Sequence, residues 1–299
     1  MDKLNILVSV NSKFIKPLNV LLYSLYKTQS TPCVIYLINI SLSEEEIEEI
    51  HSLCNILNFE FNVLTIPNKA ISCINEKQKE LSELNLSIET YSRLFIPNLL
   101  SDVDRILWLD ADCLVKKDLH DFYYQDLKDK VIAACDHCNW RIPSIPEFSY
   151  WDYPIRKQTP EYFNAGVILF DLSKCRRIRG FQIDNMISLI KFMDCRFFDQ
   201  DILNTLIGKD RVLWCNTLLY NTCVNQNWAS SFNNHPIQYS IYENSYILHY
   251  CSPDKPWNLS NNMTWGSRKY WIKTYMELND LLFKEQIQTE SKGLIYKTI

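Results

Sequence analysis

The chain has 299 residues, 47% hydrophobic and 22% charged, a globular composition that excludes wholesale disorder and buries a core without a disulfide scaffold. A net charge of −4 and a pI near 5.8 argue against a broad nucleic-acid footprint, which would need a basic face. There are only five glycines (Gly166, Gly180, Gly208, Gly266, Gly293), too dispersed for a GxGxxG turn or a Walker loop, so bound phosphates would need metal and cationic side chains.

In chain order, Leu4–Val10 is expected as a buried strand and Leu18–Tyr26 as a helix with apolar residues at 18, 21, 22 and 25. Val34–Ile38 predicts a second strand. Ser43 before Glu44–Glu46 predicts an N-cap with acids in the first turn of a helix reaching about Leu57. Phe59–Ile66 predicts a third strand. This alternation of apolar strands and helices predicts a parallel sheet covered on both faces. A helical stretch follows over Glu89–Leu100, then a strand over Arg105–Leu109, strands at Val131–Ala134 and Val167–Phe170, and a helix over Phe181–Met193. From about residue 214 to 265 the chain is rich in Asn, Ser, Trp and Tyr, and Tyr270–Phe283 closes with a helical pattern.

The eleven cysteines are odd in number and scattered through apolar stretches, which suits a reducing compartment. Cys135 and Cys138 form a CxxC with no second pair at zinc-finger spacing. The apolar stretch after Lys3 is too short for a signal peptide, and the longest apolar run, Ala165–Phe170, is too short to span a bilayer. A cytoplasmic protein is expected, at most touching the inner face of a membrane.

The chemistry concentrates at Ile106-Leu-Trp-Leu-Asp-Ala-Asp-Cys-Leu-Val115, where two carboxylates interrupt an apolar run. On one continuous strand, Asp110 and Asp112 would share a face about 6–7 Å apart. Two buried like charges need compensation, and a divalent cation with oxygen ligands, Mg²⁺ or Mn²⁺, supplies it. Alternatively, Asp110 ends the strand and Asp112 caps a turn, both solvated. His249, within Tyr246–Cys251, is either a core histidine or a third ligand that would favour Mn²⁺. Lys255 suits a phosphate or a solvated surface. Phe198–Asn204 places Asp199, Gln200 and Asp201 at a helix start, where acids also complement the helix dipole. Tyr162–Val167 leads into a strand, with Gly166 allowing close backbone approach.

Taken in order, Glu89–Leu94, Arg105–Val115 with Asp118-Leu119, Tyr162–Val167, Asp199–Asn204 and His249–Trp257 resemble glycosyltransferase family 8 over about residues 4 to 260. The resemblance implies an α/β fold of the Rossmann-like GT-A type, a mixed sheet with helices on both faces. It implies a catalytic domain over 1–265 (donor-binding part about 1–115, acceptor-side part about 116–265) and a helical tail over 266–299. It further implies a UDP-sugar donor, a metal (Mn²⁺, with Mg²⁺ as a substitute) on Asp110, Asp112 and His249, and a diphosphate contact from Lys255. Arg93 would help bind the donor; Asn164, Asp199 and Gln200 would lie at the transferred sugar. Asn11 stands where many members carry a uracil-contacting aspartate, and Ser252 where a glycine often follows His-Tyr-Cys. Asp136, beside His137, is the candidate for another sugar contact.

The implied reaction is retaining transfer of a hexose, glucose or galactose, to a hydroxyl of a saccharide or glycoconjugate. Gln200 is a poor nucleophile, which favours front-face attack by the acceptor over a covalent intermediate on Asp199. Two rivals differ in class. A haloacid-dehalogenase-type phosphatase also has a DxD after an apolar strand, but near its N-terminus. A non-catalytic sugar-nucleotide-binding or scaffold protein would be expected to lack one of Asp110, Asp112, Gln200, His249 or Lys255. The aromatic residues of 214–271 either stack on sugar rings or belong to the core. Arg268, Lys269 and Lys273, interleaved with Tyr270, Trp271 and Tyr275, predict a solvated helix face or a membrane-surface contact.

Overall fold

The computed structural model describes residues 2–80, 87–137, 162–195, 197–224, 236–258 and 265–296. Seven strands form the main sheet: β1 (Leu4–Val8), β2 (Cys33–Asn39), β3 (Glu60–Thr65), β4 (Arg105–Leu109), β6 (Ile132–Asp136), β7 (Phe163–Asp171) and β8 (Val212–Cys215). A second sheet holds β5 (Cys113–Val115), β9 (Thr222–Cys223) and β10 (Ile247–His249). The main sheet runs β3-β2-β1-β4-β7-β6-β8, all neighbours parallel except β7, which is antiparallel to both β4 and β6. The sheet is therefore mixed rather than parallel.

Alternation along the central strands divides the core. Leu4, Ile6, Val8, Leu107 and Leu109 face one apolar cluster; Leu7, Ile106 and Trp108 face the other. The first cluster takes residues of helices α1 (Ile15–Thr28) and α2 (Glu44–Ile56). The second takes residues of α3 (Asn68–Glu80), of the helix Ile183–Phe192 and of the helix Phe198–Ile207. Burial on both faces explains why these strands are near-continuous apolar runs. The cap expected at Ser43 is a full capping box: its Oγ accepts from Glu46 N–H while the Glu46 carboxylate accepts from Ser43 N–H.

Three elements differ from the sequence-based expectation. Glu89–Leu100 is not a continuous α-helix but a 3-10 segment (Ile88–Phe95) followed by one α turn, in which Glu89, Tyr91, Arg93 and Leu94 are all buried. Strand β7 begins at Phe163, so Asn164 and Gly166 lie within it rather than before it. The C-terminal helix runs over Trp265–Tyr296, and the surface expected to be solvated or membrane-facing divides: Arg268 and Trp271 are buried, Lys269, Tyr270 and Tyr275 are half-buried, and Lys273 is exposed. Trp271 and Leu278 join the first cluster, Arg268 is buried, and Lys16 of α1 sits over Tyr275 at 4.2 Å. Among described aromatics of 214–271, Tyr242, Tyr250 and Trp271 are core; Trp228 and Cys138 lie outside the described residues. No helix among the described residues is long and apolar enough to cross a membrane.

Candidate active site

The two aspartates do not share a strand face. Strand β4 ends at Leu109, and Asp110 to Cys113 form a tight turn closed by Cys113 N–H donating to Asp110 C=O at 2.9 Å. The alternative expectation, that Asp110 ends the strand and Asp112 lies at a turn, is the one observed, except that Asp112 is buried, and the chain passes directly from the main sheet into β5 of the small one. The turn is fixed at both ends: Asp110 N–H donates to Gly166 C=O at 2.8 Å and Tyr250 N–H to Asp112 C=O at 3.0 Å. Strand β10 pairs antiparallel with β5, placing His249 opposite Cys113.

This arrangement brings three side chains together. His249 Nε2 lies 3.2 Å from Asp112 Oδ1 and 3.8 Å from Asp110 Oδ2. The other oxygen of Asp110 is already engaged, by Trp108 Nε1–H at 2.8 Å and by Arg93 Nη2 at 2.9 Å. Asp112 Oδ2 pairs with Lys255 Nζ at 2.7 Å, and that ammonium also donates to Tyr250 C=O at 2.7 Å. Asp112 Oδ1 is buried and receives no hydrogen bond of good geometry among the described residues. Burial disfavours charge on Asp112, but Lys255 and His249 outweigh it and hold the carboxyl well below the usual range. Burial likewise opposes charge on His249, yet Asp112 outweighs it and raises the imidazole to about 9. Two carboxylates thus draw a positive charge toward Nε2, either a proton or a cation in its place. The oxygen and nitrogen donors fit Mn²⁺. Asp112, Cys113 and His249 also offer ligand atoms within 4.8 Å of one another, but burial keeps the Cys113 thiol protonated.

Gly166 meets His249 rather than open space. A Cβ built on it would stand 2.2 Å from His249 Cε1 and 2.9 Å from Nδ1 and Nε2. The close approach expected there is thus made by an imidazole ring. Gly166→Ala should displace that ring, cost about 1–3 kcal/mol of stability and weaken Mn²⁺ binding together with it. Denaturant titration and Mn²⁺ titration check this, and unchanged Mn²⁺ binding would refute it.

The second group centres on Arg93, only 6% exposed, whose guanidinium joins two carboxylates. Nη2 meets Asp110, Nε meets Asp199 Oδ2 at 2.9 Å, Nη1 donates to Ala165 C=O, and the group lies 4.6 Å above the Trp108 ring. Burial raises Asp199 to about 7, with Arg93 opposing and Asp110 adding to that rise. Gln200 follows on the same helix. Its Oε1 accepts from Ala165 N–H at 2.9 Å, and its Nε2 lies 3.2 Å from Tyr162 Oη and 3.4 Å from His137 Nδ1. Phe198 at the helix start has φ +51°, a strained conformation for a bulky residue that costs about 1–3 kcal/mol. Asp201 holds it there, accepting from Phe197 N–H at 2.7 Å and from Tyr162 Oη at 2.5 Å.

The remaining candidates are dispersed. Asn11 follows β1, where its Oδ1 accepts from Lys13 N–H and its Nδ2 donates to Ser87 Oγ at 3.2 Å. Asp136 closes β6 beside a bulge, and its neighbour His137 is the residue that contacts Asn164 and Gln200. Ser252 donates to Asp254 C=O at 2.9 Å. Sequence reasoning passed over Asn221, Trp108 and Tyr162. Asn221 accepts from His249 Nδ1 at 2.8 Å and is 3% exposed. Its only sequence signal is an Asn in a turn-rich region, whereas Trp108 two residues before Asp110 was readable as an indole donor.

The strand order, with one reversed strand and the acidic turn at the carboxyl end of β4, defines a GT-A glycosyltransferase fold. The same fold is found in the galactosyltransferase LgtC in complex with donor and acceptor sugar analogs (TM-score 0.68, 22% identity, 92% of this chain and 96% of that one) and in the glycosyltransferase GlyE of Streptococcus pneumoniae TIGR4 (TM-score 0.66, 22% identity, 96% and 64%). The family model for glycosyl transferase family 8 matches residues 5–260, and the chain belongs to that family. A putative glycosyltransferase of Haemophilus influenzae is 24% identical over 258 residues, 85% of this chain and 73% of that protein. The Lipopolysaccharide 1,2-glucosyltransferase of Escherichia coli K12 is 28% identical over 170 residues, 56% and 48%. The matches span about half of the latter or of GlyE's sequence, 47%.

Proposed function

We propose that this chain is a metal-dependent, retaining hexosyltransferase that moves glucose or galactose from a UDP-sugar to a hydroxyl of a saccharide or glycoconjugate. The observation that carries the reading is the convergence of Asp110 Oδ2, Asp112 Oδ1 and His249 Nε2, with Arg93 tying that cluster to Asp199 beside Gln200. Asp110, Asp112 and His249 would hold Mn²⁺, or Mg²⁺ in its place. Held there, the ion would supply Lewis-acid stabilisation of charge on the leaving diphosphate.

The chain's own groups account for the rest. Lys255, anchored by Asp112 and Tyr250, holds a fixed ammonium at the edge of the acidic cluster, where it stabilises an anionic leaving group. Arg93 keeps Asp199 engaged, which disfavours that carboxylate as a nucleophile and favours front-face attack by the acceptor. Gln200, pinned by Ala165 N–H, orients the sugar with Asn164 and does not bond to it covalently. In this reading Asn11 contacts the base and Asp136 the sugar, Gly166 serves the donor site through His249, and 1–265 is the catalytic unit that the helical tail 266–299 completes. The described cysteines are all free, seven of them buried, which supports the cytoplasm, with at most peripheral membrane contact.

Isothermal titration with UDP-glucose, UDP-galactose, UDP-N-acetylglucosamine and a GDP-sugar, with and without Mn²⁺, tests the reading. Mn²⁺-dependent binding of UDP-glucose or UDP-galactose is expected. Absence of binding to every sugar nucleotide in the presence of metal would sink it.

A further inference from the structure

Behind the ligand cluster runs a chain of side-chain amides whose direction is dictated by backbone N–H groups. Gly166 N–H can only donate, so the Asn164 atom 2.9 Å away is the acceptor Oδ1. Asn164 Nδ2 then faces His137 Nδ1 at 3.2 Å, and that ring nitrogen must accept. Asn164 Oδ1 is also 2.9 Å from the Asn221 amide, which must therefore present Nδ2 to it. That leaves Asn221 Oδ1 at 2.8 Å from His249 Nδ1, which must carry a proton. A neutral His249 is consequently bare at Nε2, the nitrogen 3.2 Å from Asp112 Oδ1 and 3.8 Å from Asp110 Oδ2.

A second chain agrees independently. Ala165 N–H can only donate to Gln200, so Gln200 Nε2 is the atom turned toward His137 Nδ1. Both chains require His137 Nδ1 to accept, with its proton on Nε2.

We propose that Asn221 is a positioning residue for His249. Through Asn164 it transmits the direction of Gly166 N–H to the imidazole and locks the tautomer that offers Nε2 to Asp110 and Asp112. A ligating histidine whose other nitrogen donates to a fixed acceptor has its ring orientation set and its basicity raised. The proposal rests on the metal-dependent reading above. It adds that the metal side and the sugar side are aligned by one polar relay, His249–Asn221–Asn164–His137.

The test compares Mn²⁺ affinity, read from the electron paramagnetic resonance of free Mn²⁺, for the wild type, Asn221→Leu and Asn221→Asp. Leucine removes the acceptor at similar volume, whereas aspartate retains it. Asn221→Leu should weaken Mn²⁺ binding by about 10–100-fold, with Asn221→Asp, which keeps the acceptor for His249 Nδ1 but loses the donor to Asn164 Oδ1, restoring part of the loss. A packing role alone predicts no rescue by aspartate. Unchanged affinity in Asn221→Leu, or equal loss in both variants, overturns the proposal. Histidine ¹⁵N NMR of the metal-free wild type gives a readout that needs no variant to fold: the His137 proton should sit on Nε2, and a proton on Nδ1 overturns the relay. Wild-type protein that binds no Mn²⁺ overturns the metal-dependent reading instead, and the NMR spectrum then decides the amide chain by itself.

Discussion

Asp112→Asn should abolish Mn²⁺ binding and reduce sugar transfer by about 10³-fold or more, while the protein remains folded. The side chain keeps its shape, so the loss is electrostatic. Asp112 is the carboxylate nearest His249 Nε2 and the partner of Lys255, and its removal takes away charge from both. A metal that stabilises a leaving group contributes several kcal/mol, and each 1.36 kcal/mol is tenfold in rate, which sets the scale at about three decades. His249, raised to about 9 chiefly against burial by Asp112, should also titrate at a lower pH in the variant. Initial rates with the donor found by titration, together with paramagnetic Mn²⁺ binding, check the expectation. A rate within tenfold of wild type would show that Asp112 does not hold the metal.

The second large effect is on stability. Arg93→Met leaves Asp110 and Asp199 without their shared guanidinium partner, and breaking a buried ion pair from one side costs about 3–5 kcal/mol. Methionine keeps apolar contact with Trp108, over which Arg93 now lies, so the cost reports the charge. The penalty depends on pH in a definite direction. Asp199 is already raised to about 7, chiefly by burial, above a reference near 3.9, and losing Arg93 must raise it further. A carboxyl raised in the folded state stabilises most below its unfolded pKa, and the contribution is lost as pH rises through its folded pKa. The melting temperature of Arg93→Met should therefore fall further below that of the wild type at pH 8 than at pH 6. Calorimetry at the two pH values tests this, and a gap that narrows at pH 8 would contradict it.

Parts of this architecture are plain in the sequence because a local signal and the tertiary demand coincide. Ile106–Leu109 is apolar, lies between turn residues and is buried on both faces, so the limits of the strand agree with those expected. Ser43 and Glu46 satisfy each other within one turn, so that cap is readable without the fold. The change of sheet across Asp110–Asp112 is not. Cys113–Val115 continues the apolar run, and only the β10 partner shows that the chain has changed sheets. Helix α3 escaped because Asn75, Glu76, Lys77, Gln78 and Lys79 dilute its apolar stripe, leaving Ala70, Cys73 and Ile74 as its buried contacts. His249 was legible as a residue but not as a geometry. Its partner Asn221 lies 28 positions earlier, and nothing local joins them. Long-range amide pairs carry no periodicity, which is why the relay emerges only in three dimensions.

The acidic turn is where the chain crosses from a seven-stranded sheet to a three-stranded one. Asp110 belongs to the first through Gly166, and Asp112 to the second through Tyr250. An ion held by Asp110, Asp112 and His249 would therefore tie the two sheets together as well as activate a leaving group. By mass action, a ligand that binds only the folded chain deepens the folded basin as its concentration rises above its dissociation constant. The cation would then be a keystone of the tertiary structure, coupling the chain's architecture to the metal supply of its surroundings.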